Sequence, residues 1–403
     1  MAGRPQRLKL DWRDADAFIA AVHSQDRVTG LTHDFYKYPA RFSPQFASAA
    51  IEALTDPGDT VVDPFVGGGT TLVESRANGR LGVGTDISTL ATFVSRAKTR
   101  VLQNSDIEYL EKWFDKLTGR INLHRPSKGG ELAELGYTRN LDARETWAIR
   151  KAIEQSLVAI RRIRDQKRQD VARCILLRTS QWALDGRKQI PSVGEFRVQI
   201  TKNASALLAG AREFAAAARK ADRLVSSGRH RTICKNSRAE ALAQYFIRSG
   251  RDAPRLVLTS PPYPGVHILY HRWQVSGGKE TPAPFWIANK MDGAGEAYYL
   301  MHARRPDLEK YSKGIEAAFS AMSKLATSKT VMVQMVAFSD PASQLPGYLD
   351  IMQKCGLQEV VLSEHVDSPD GRLWRKIPGR KWHAATKGEL ESSKEVVLIH
   401  RIR

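Results

Sequence analysis

Two short stretches of this chain set chemistry-bearing residues among glycines or prolines. The first, DPFVGGGTT (63–71), follows the apolar run TVV and places Asp63 at a strand end, then three glycines, then the start of a helix. Glycines let a backbone approach a ligand closely, and a helix N-terminus favours negative charge. No lysine follows Gly69, so a phosphate-cradling P-loop is not formed. Gly67 and Gly69 fill two places of a dinucleotide fingerprint, whose third place holds Leu72. Asp86 ends the next apolar run, LGVGTD, 17 residues beyond Gly69. A carboxylate there accepts both hydroxyl protons of a ribose diol, or else caps a helix that begins at Ile87. An adenosine-containing ligand fits the first of these roles. The second stretch, LVLTSPPYPG (256–265), closes an apolar run with a hydroxyl, two prolines and an aromatic ring. Prolines of this kind hold the main chain fixed around the oxygen atoms that the corner presents.

The elements that must position these residues follow from the hydrophobic pattern. Strands are expected at 60–64 and 81–86, with helical spacing over 70–78 and again over ISTLATFVSRAKTRVL. Strand, helix, strand, helix is the opening of an α/β fold with a parallel sheet. From about 104 to 230 the pattern is helical. Ile149, Ile153, Leu157, Ile160 and Ile163 share one face, and Arg150, Lys151, Arg161, Arg162, Arg164, Lys167 and Arg168 occupy the rest. An alanine-rich helix is expected at roughly 204–225, and the segment DGRKQIPSVG (185–194) reads as a basic loop. Strands resume at 231–236, 255–259 and 330–338, with a helix over about 307–326. LQEVVLSEH (357–365) and KEVVLIHRI (394–402) complete the sheet as an antiparallel pair joined by a long loop. The expected architecture is a Rossmann-like sheet, mostly parallel with an antiparallel edge, carrying a helical insertion.

Length and composition agree with this. The chain has 403 residues, 42% of them hydrophobic, enough for two or three packed units. No run reaches the ~18 apolar residues of a membrane span, and MAGRPQRLKLDWRD lacks the apolar core of a signal peptide, so a cytoplasmic protein is expected. Cys174, Cys234 and Cys355 are far apart and outside any CxxC arrangement, which points to buried free thiols and no metal site. The formal charge of +19 and a pI near 9.9 favour a polyanionic partner, nucleic acid ahead of an anionic membrane.

TSPPY (259–263) together with DPFVGGGTT resembles the S-adenosylmethionine-dependent DNA methyltransferases that modify exocyclic amino groups. The serine form is most similar to the cytosine-N4 subclass. THDFYKYPARFSPQFASAAIEAL (32–54) is similar to the cofactor-binding segment of that family, and TDISTLATFVSRAKT (85–99) to its acidic-residue segment. The resemblance implies S-adenosyl-L-methionine as cofactor. It implies a methyltransferase domain split into residues 1–103 and 231–403, with 104–230 a candidate target-recognition region. Tyr38, Phe42, Asp63, Phe65, Gly67, Gly69, Thr70, Asp86, Ile87, Ser88 and Ser237 are the cofactor residues it implies, with Asn236 the alternative to Ser237 beside the adenine amino group. The family often has an acidic residue there, which KNSRA (235–239) does not supply. Ser260, Pro261, Pro262 and Tyr263 are the implied catalytic corner. An exocyclic amine is a poor nucleophile because its lone pair is delocalised into the ring. Acceptors from Ser260 and the Pro261 carbonyl would hold it, and Tyr263 would offer a ring face to the extruded base. No Pro-Cys dipeptide is present, which argues against a covalent C5 mechanism.

In many cytosine-N4 enzymes SPPY precedes the glycine loop, whereas here it follows. The order leaves open which segment reads DNA. Arg372, Trp374, Arg375, Lys376, Arg380, Lys381 and Trp382 form one basic aromatic loop, and Arg187 and Lys188 belong to the other candidate, the insertion. His267, Tyr270, His271 and Trp273 are candidates for the wall around the base, with core packing the alternative for each. Duplex DNA is the expected partner, and a restriction endonuclease and the oligomeric state are left open. N6-adenine methylation, RNA guanine-N2 methylation and a catalytically silent DNA-binding subunit are the competing functions.

Overall fold

The computed structural model describes residues 13–24, 26, 28–38, 43–126, 129–225, 232–264, 272–291, 301–302, 305–306, 308–360, 368, 370–376 and 394–403. Phe42, His267, Tyr270, His271, Arg380, Lys381 and Trp382 lie outside the described residues, as do 361–365 of the expected strand.

The chain opens with α1 (Ala15–His23), a 3₁₀ turn at His33–Phe35 and α2 (Pro44–Leu54), whose N-cap Ser43 accepts from the Phe46 amide. Then β1 (Thr60–Asp63), α3 (Thr70–Ala77), β2 (Leu81–Asp86) and α4 (Thr89–Lys98) follow in the expected order. Four long helices come next: α5 (Asn104–Thr118), α6 (Trp147–Ile160), α7 (Gln166–Leu184) and α8 (Val193–Asp222). The sheet resumes with β3 (Ile233–Asn236), α9 (Ala241–Ser249) and β4 (Leu256–Thr259). A ribbon of β5 (Trp273–Val275) and β6 (Lys279–Thr281), the short α10 (Ala283–Ala288) and a ribbon of β7 (Met301–His302) and β8 (Arg305–Pro306) lie between β4 and α11 (Leu308–Leu325). The chain then runs through β9 (Val331–Ala337), α12 (Pro341–Lys354), β10 (Leu357–Val360), β11 (Leu373–Lys376) and β12 (Lys394–Ile402).

The main sheet has the order β10-β12-β9-β4-β1-β2-β3, with β11 also paired to β12. Strands β9, β4, β1, β2 and β3 are parallel, and β12 is antiparallel to β9, β10 and β11. Helices cover both faces, so the central strands are buried throughout and read as continuous apolar runs. Alternation still assigns the faces. Val61, Leu256, Leu258, Val331, Val333 and Met335 pack on α1 and α2, while Val62, Val257, Met332 and Val336 pack towards α9, α11 and α12. The chain passes outward from β1 to β3 and returns to the other side of β1 as β4. That reversal opens a crevice at the carboxyl ends of β1 and β4.

Two corrections concern the helices between β2 and β3. The stretch read as one basic-faced helix is broken at 161–165 into α6 and α7. All five predicted isoleucine and leucine positions are buried, but α7 is buried on nearly every side and so has no amphipathic period to read. Helix α8 begins at Val193, well before the expected start, because Ser192 and Glu195 form a reciprocal capping box. The four helices and α4 share one apolar core. Helix α8 also holds α3, where Arg76 pairs with Asp222 at 2.8 Å and donates to the Ala218 carbonyl. The three cysteines are buried free thiols. No helix among the described residues is long and apolar enough to cross a membrane.

Candidate active site

The glycine loop is held from three sides. The Gly67 amide donates to Asp86 Oδ2 at 2.9 Å, the Gly67 carbonyl accepts from Ser95 Oγ, and the Gly68 carbonyl accepts from Lys98 Nζ at 2.7 Å. Lys98 is fully buried, and a carbonyl of the loop is its partner. Gly69 caps α3 with φ +80°, and a Cβ there would lie 2.7 Å from Ser95 Oγ, so no other residue fits without displacement. Tyr38 is buried with its ring over Gly67. The segment carrying Tyr38 is tied down by a buried pair, His33 Nε2 with Glu74 Oε1 of α3 at 2.6 Å.

Asp86 does not cap α4, a place taken by Ser88, but both of its oxygens are held by backbone amides. Its Oδ1 accepts from the Ser88 amide while Oδ2 holds Gly67, and its side chain also lines a cavity. Ser88 caps α4. Asn236 donates to the carbonyls of Asp86 and Ile87, and the Ser237 amide donates to the Asp86 carbonyl, so the β3 end is locked to the β2 end.

Asp63 is buried, and its Oδ1 accepts from Thr259 Oγ1 at 2.6 Å and from the Phe65 amide at 3.0 Å. Burial pushes its carboxyl up to about 6; these donors and Thr71 oppose the shift, and the nearby Asp86 adds to it. The Thr259 bond joins the strand end before SPPY to the strand end before the glycine loop.

A cavity of about 340 Å³ opens between these elements. Phe65, Asp86, Ile87, Ser237 and Pro262 line it, together with Pro64, Arg238, Ala239 and Glu240. Its far wall is α11, through Lys310, Tyr311, Gly314 and Ala318 among others. Asp63, Gly67, Gly69, Thr70, Ser88 and Ser260 are not among its lining residues and stand behind or beside it. Sequence reasoning missed the α11 wall and Glu240. Small residues at 314, 317 and 318, one helical turn apart, were the available signal for the former.

At the SPPY corner the hydrogen bonds run inward. Ser260 Oγ donates to the Tyr263 hydroxyl at 3.0 Å, and the Tyr263 hydroxyl donates to Glu395 Oε1 at 2.8 Å. Glu395 Oε2 accepts from Arg375 Nε at 2.8 Å and Nη2 at 2.6 Å. The Pro262 carbonyl accepts from the Tyr311 hydroxyl. Tyr263 is 5% exposed and packs in the core under α11. Its ring therefore does not stand open as a stacking face, which corrects the expectation for that residue.

The basic loop is also corrected. Residues 373–376 form β11, paired to β12 with Arg375 opposite Glu395. Alternation turns Leu373 and Arg375 inward, so Arg375 is buried in an ion pair and is not presented to phosphate. Arg372 is held by Glu359 at 2.6 Å and by Asp370. Trp374 is partly buried and donates to Asp370, and Lys376 is exposed. Trp273 is buried and donates to the Tyr36 hydroxyl, so it belongs to the core.

The insertion reaches the same end of the molecule. Gln181 of α7 bonds both backbone groups of Lys37, next to Tyr38, while Asp185 and Gly186 bond the backbone of Gln274. Arg187 stacks on Trp182 at 4.3 Å, and Lys188 is exposed.

Residues 11–92 match the family model of the N6/N4 methyltransferases, described as DNA methylase. The chain is 34% identical over 104 residues to the type II methyltransferase M.MjaII of Methanocaldococcus jannaschii, covering 26% of this chain and 18% of that protein. It is 39% identical over 89 residues to the type II methyltransferase M.MvaI of Kocuria varians, covering 20% of each. The matched stretch thus spans about a fifth of these relatives. Among solved structures, the rRNA methyltransferase aviRa of Streptomyces viridochromogenes aligns over 91% of this chain and 89% of its own, at 11% identity and a TM-score of 0.31. The stretch that holds the glycine loop and the acidic residue after it is thus similar to the DNA methylase family, over about a fifth of this chain.

Proposed function

We propose that the chain transfers a methyl group from S-adenosylmethionine to the exocyclic N4 amine of a cytosine flipped out of duplex DNA. The observation that carries this is the single cavity touched by Phe65 of the glycine loop, by Asp86 and Ile87 after β2, by Ser237 after β3 and by Pro262 of SPPY. Its volume suits one nucleoside-sized ligand. Asp86 takes the ribose diol, Ile87 and Ser237 the adenine end, and Asp63, Phe65 and the amides behind Gly67, Gly69 and Thr70 the methionine end, with Tyr38 covering the loop. When bound, the cofactor supplies an activated methyl on a sulfonium centre, and the protein supplies alignment. Ser260 Oγ and the Pro261 carbonyl accept from the target amine, holding its lone pair toward the site of the donor. Base flipping costs a few kcal/mol, offset by contacts in the pocket.

Serine at the head of the motif supports cytosine. Arg187 and Lys188 are the stronger DNA-contact candidates, because their loop is tied to the Lys37 and Gln274 segments at the site. On this basis residues 104–230 serve target recognition, and 1–103 with 231–403 form the catalytic domain. Incubation with radiolabelled cofactor and duplex DNA, followed by digestion to nucleosides, should place label in N4-methylcytosine. Label in adenine only, or in no nucleoside, refutes the proposal.

A further inference from the structure

A hydroxyl beside a target amine can serve in two opposite ways. Ser260 has one proton and two lone pairs. With its proton turned outward it would donate to the amine's lone pair and block transfer, whereas with the proton turned inward it presents only acceptor capacity. Some feature of the protein must choose between these states.

The interior of the corner contains such a feature. Arg375 can only donate, and both its Nε and Nη2 are placed on Glu395 Oε2. The other oxygen, Oε1, faces the Tyr263 hydroxyl at 2.8 Å and can only accept from it. The Tyr263 proton is thereby committed to Glu395, and its oxygen accepts the Ser260 proton at 3.0 Å. Every bond of the chain points from Ser260 inward. The pair is 1% and 6% exposed, so water does not compete for these positions. Register enforces the arrangement, since Arg375 and Glu395 face each other across β11 and β12.

We propose that the buried Arg375–Glu395 pair is a positioning device that fixes the proton direction along Glu395, Tyr263 and Ser260, so that Ser260 meets the substrate amine as an acceptor. This rests on the function proposed above, in so far as the substrate is an amine.

The test is Glu395→Gln, which keeps shape and reverses polarity. Two guanidinium N–H groups hold the glutamine carbonyl, so its NH₂ must face Tyr263. The Tyr263 proton then turns to Ser260, and the Ser260 proton turns toward the amine. Total methyl transfer to DNA is measured under saturating conditions, with calorimetric cofactor affinity, KM for DNA and thermal stability alongside. E395Q should lower kcat on the order of tenfold or more, with both affinities within about twofold of wild type. Tyr263→Phe breaks the relay, and in that background E395Q should add less than about twofold. Wild-type kcat in E395Q overturns the proposal, as does an E395Q loss that is equally large in the Y263F background, the signature of a merely structural role. If E395Q does not fold, Y263F alone decides: kcat must fall at unchanged KM, and wild-type kcat overturns the relay. Product on adenine would refute the N4 assignment while the same rates still decide the relay. Absence of any transfer by the wild type would overturn both.

Discussion

Cofactor affinity should depend on the charge of Asp63. Burial is the main cause that raises this carboxyl from its ordinary 3.8 to about 6. On the proposed function the cofactor's α-ammonium would lie at the Asp63 end and would require the ionised form. Affinity then follows the ionised fraction, which falls from about nine-tenths at pH 7 to about one-tenth at pH 5. Binding should weaken about tenfold over that interval, or about 1.4 kcal/mol. Titration calorimetry in buffers of different ionisation enthalpy should register about half a proton released per cofactor bound at pH 6. The variant D63N should bind weakly and show no pH dependence between 5 and 7. Stability runs in the opposite sense: the folded carboxyl is raised, so its contribution is complete below about 3.8 and is lost as pH rises through about 6. D63N should therefore gain stability relative to wild type as pH goes from 4 to 8. Level wild-type affinity from pH 5 to 7, or the same slope in D63N, refutes this account of Asp63.

Further outcomes follow from the same geometry. Ser260→Ala should lower kcat by about two orders of magnitude, with cofactor affinity kept, read in single-turnover methyl transfer. Asp86→Asn replaces an acceptor that holds the Gly67 and Ser88 amides, so cofactor affinity should fall at least about tenfold by calorimetry. Gly69→Ala must place a Cβ against Ser95 at φ +80°, which should cost about 1–3 kcal/mol in denaturant unfolding. Arg372→Ala should lower stability by about 2 kcal/mol through the loss of Glu359's partner, with little change in DNA affinity. Lys188→Ala should do the reverse, reducing the salt dependence of DNA binding by about one unit of slope.

Much of the sheet was legible in the sequence because buried parallel strands show as short apolar runs ended by Asp63, Asp86 and Thr259. The glycine loop and SPPY were legible for the same reason, since each follows such a run. Helix α7 was not, because from Val171 onward it is buried on nearly every side and shows no stripe. The inward direction of Arg375 was hidden too. Five cationic residues in 371–383 describe a basic loop by composition, and only the pairing of β11 with β12 turns one of them into the core. Nor could the sequence show that Tyr263 bonds Glu395, a residue 132 positions away. The α11 wall of the cavity carries no motif and is recruited by the crossover between β4 and β9.

The way α8 is seated has a practical consequence for altering specificity by domain exchange. Its Gly210 lies so near the Leu31 carbonyl that a Cβ would come within 2.0 Å of that oxygen, and its last turn anchors Arg76 of α3. A graft that replaced residues 104–230 wholesale would cut these attachments and loosen the cofactor segment with them. On the proposed division of the chain, splice points between α5 and α8, which leave both of those helices native, would let a foreign recognition element be installed without disturbing the segments that α8 anchors.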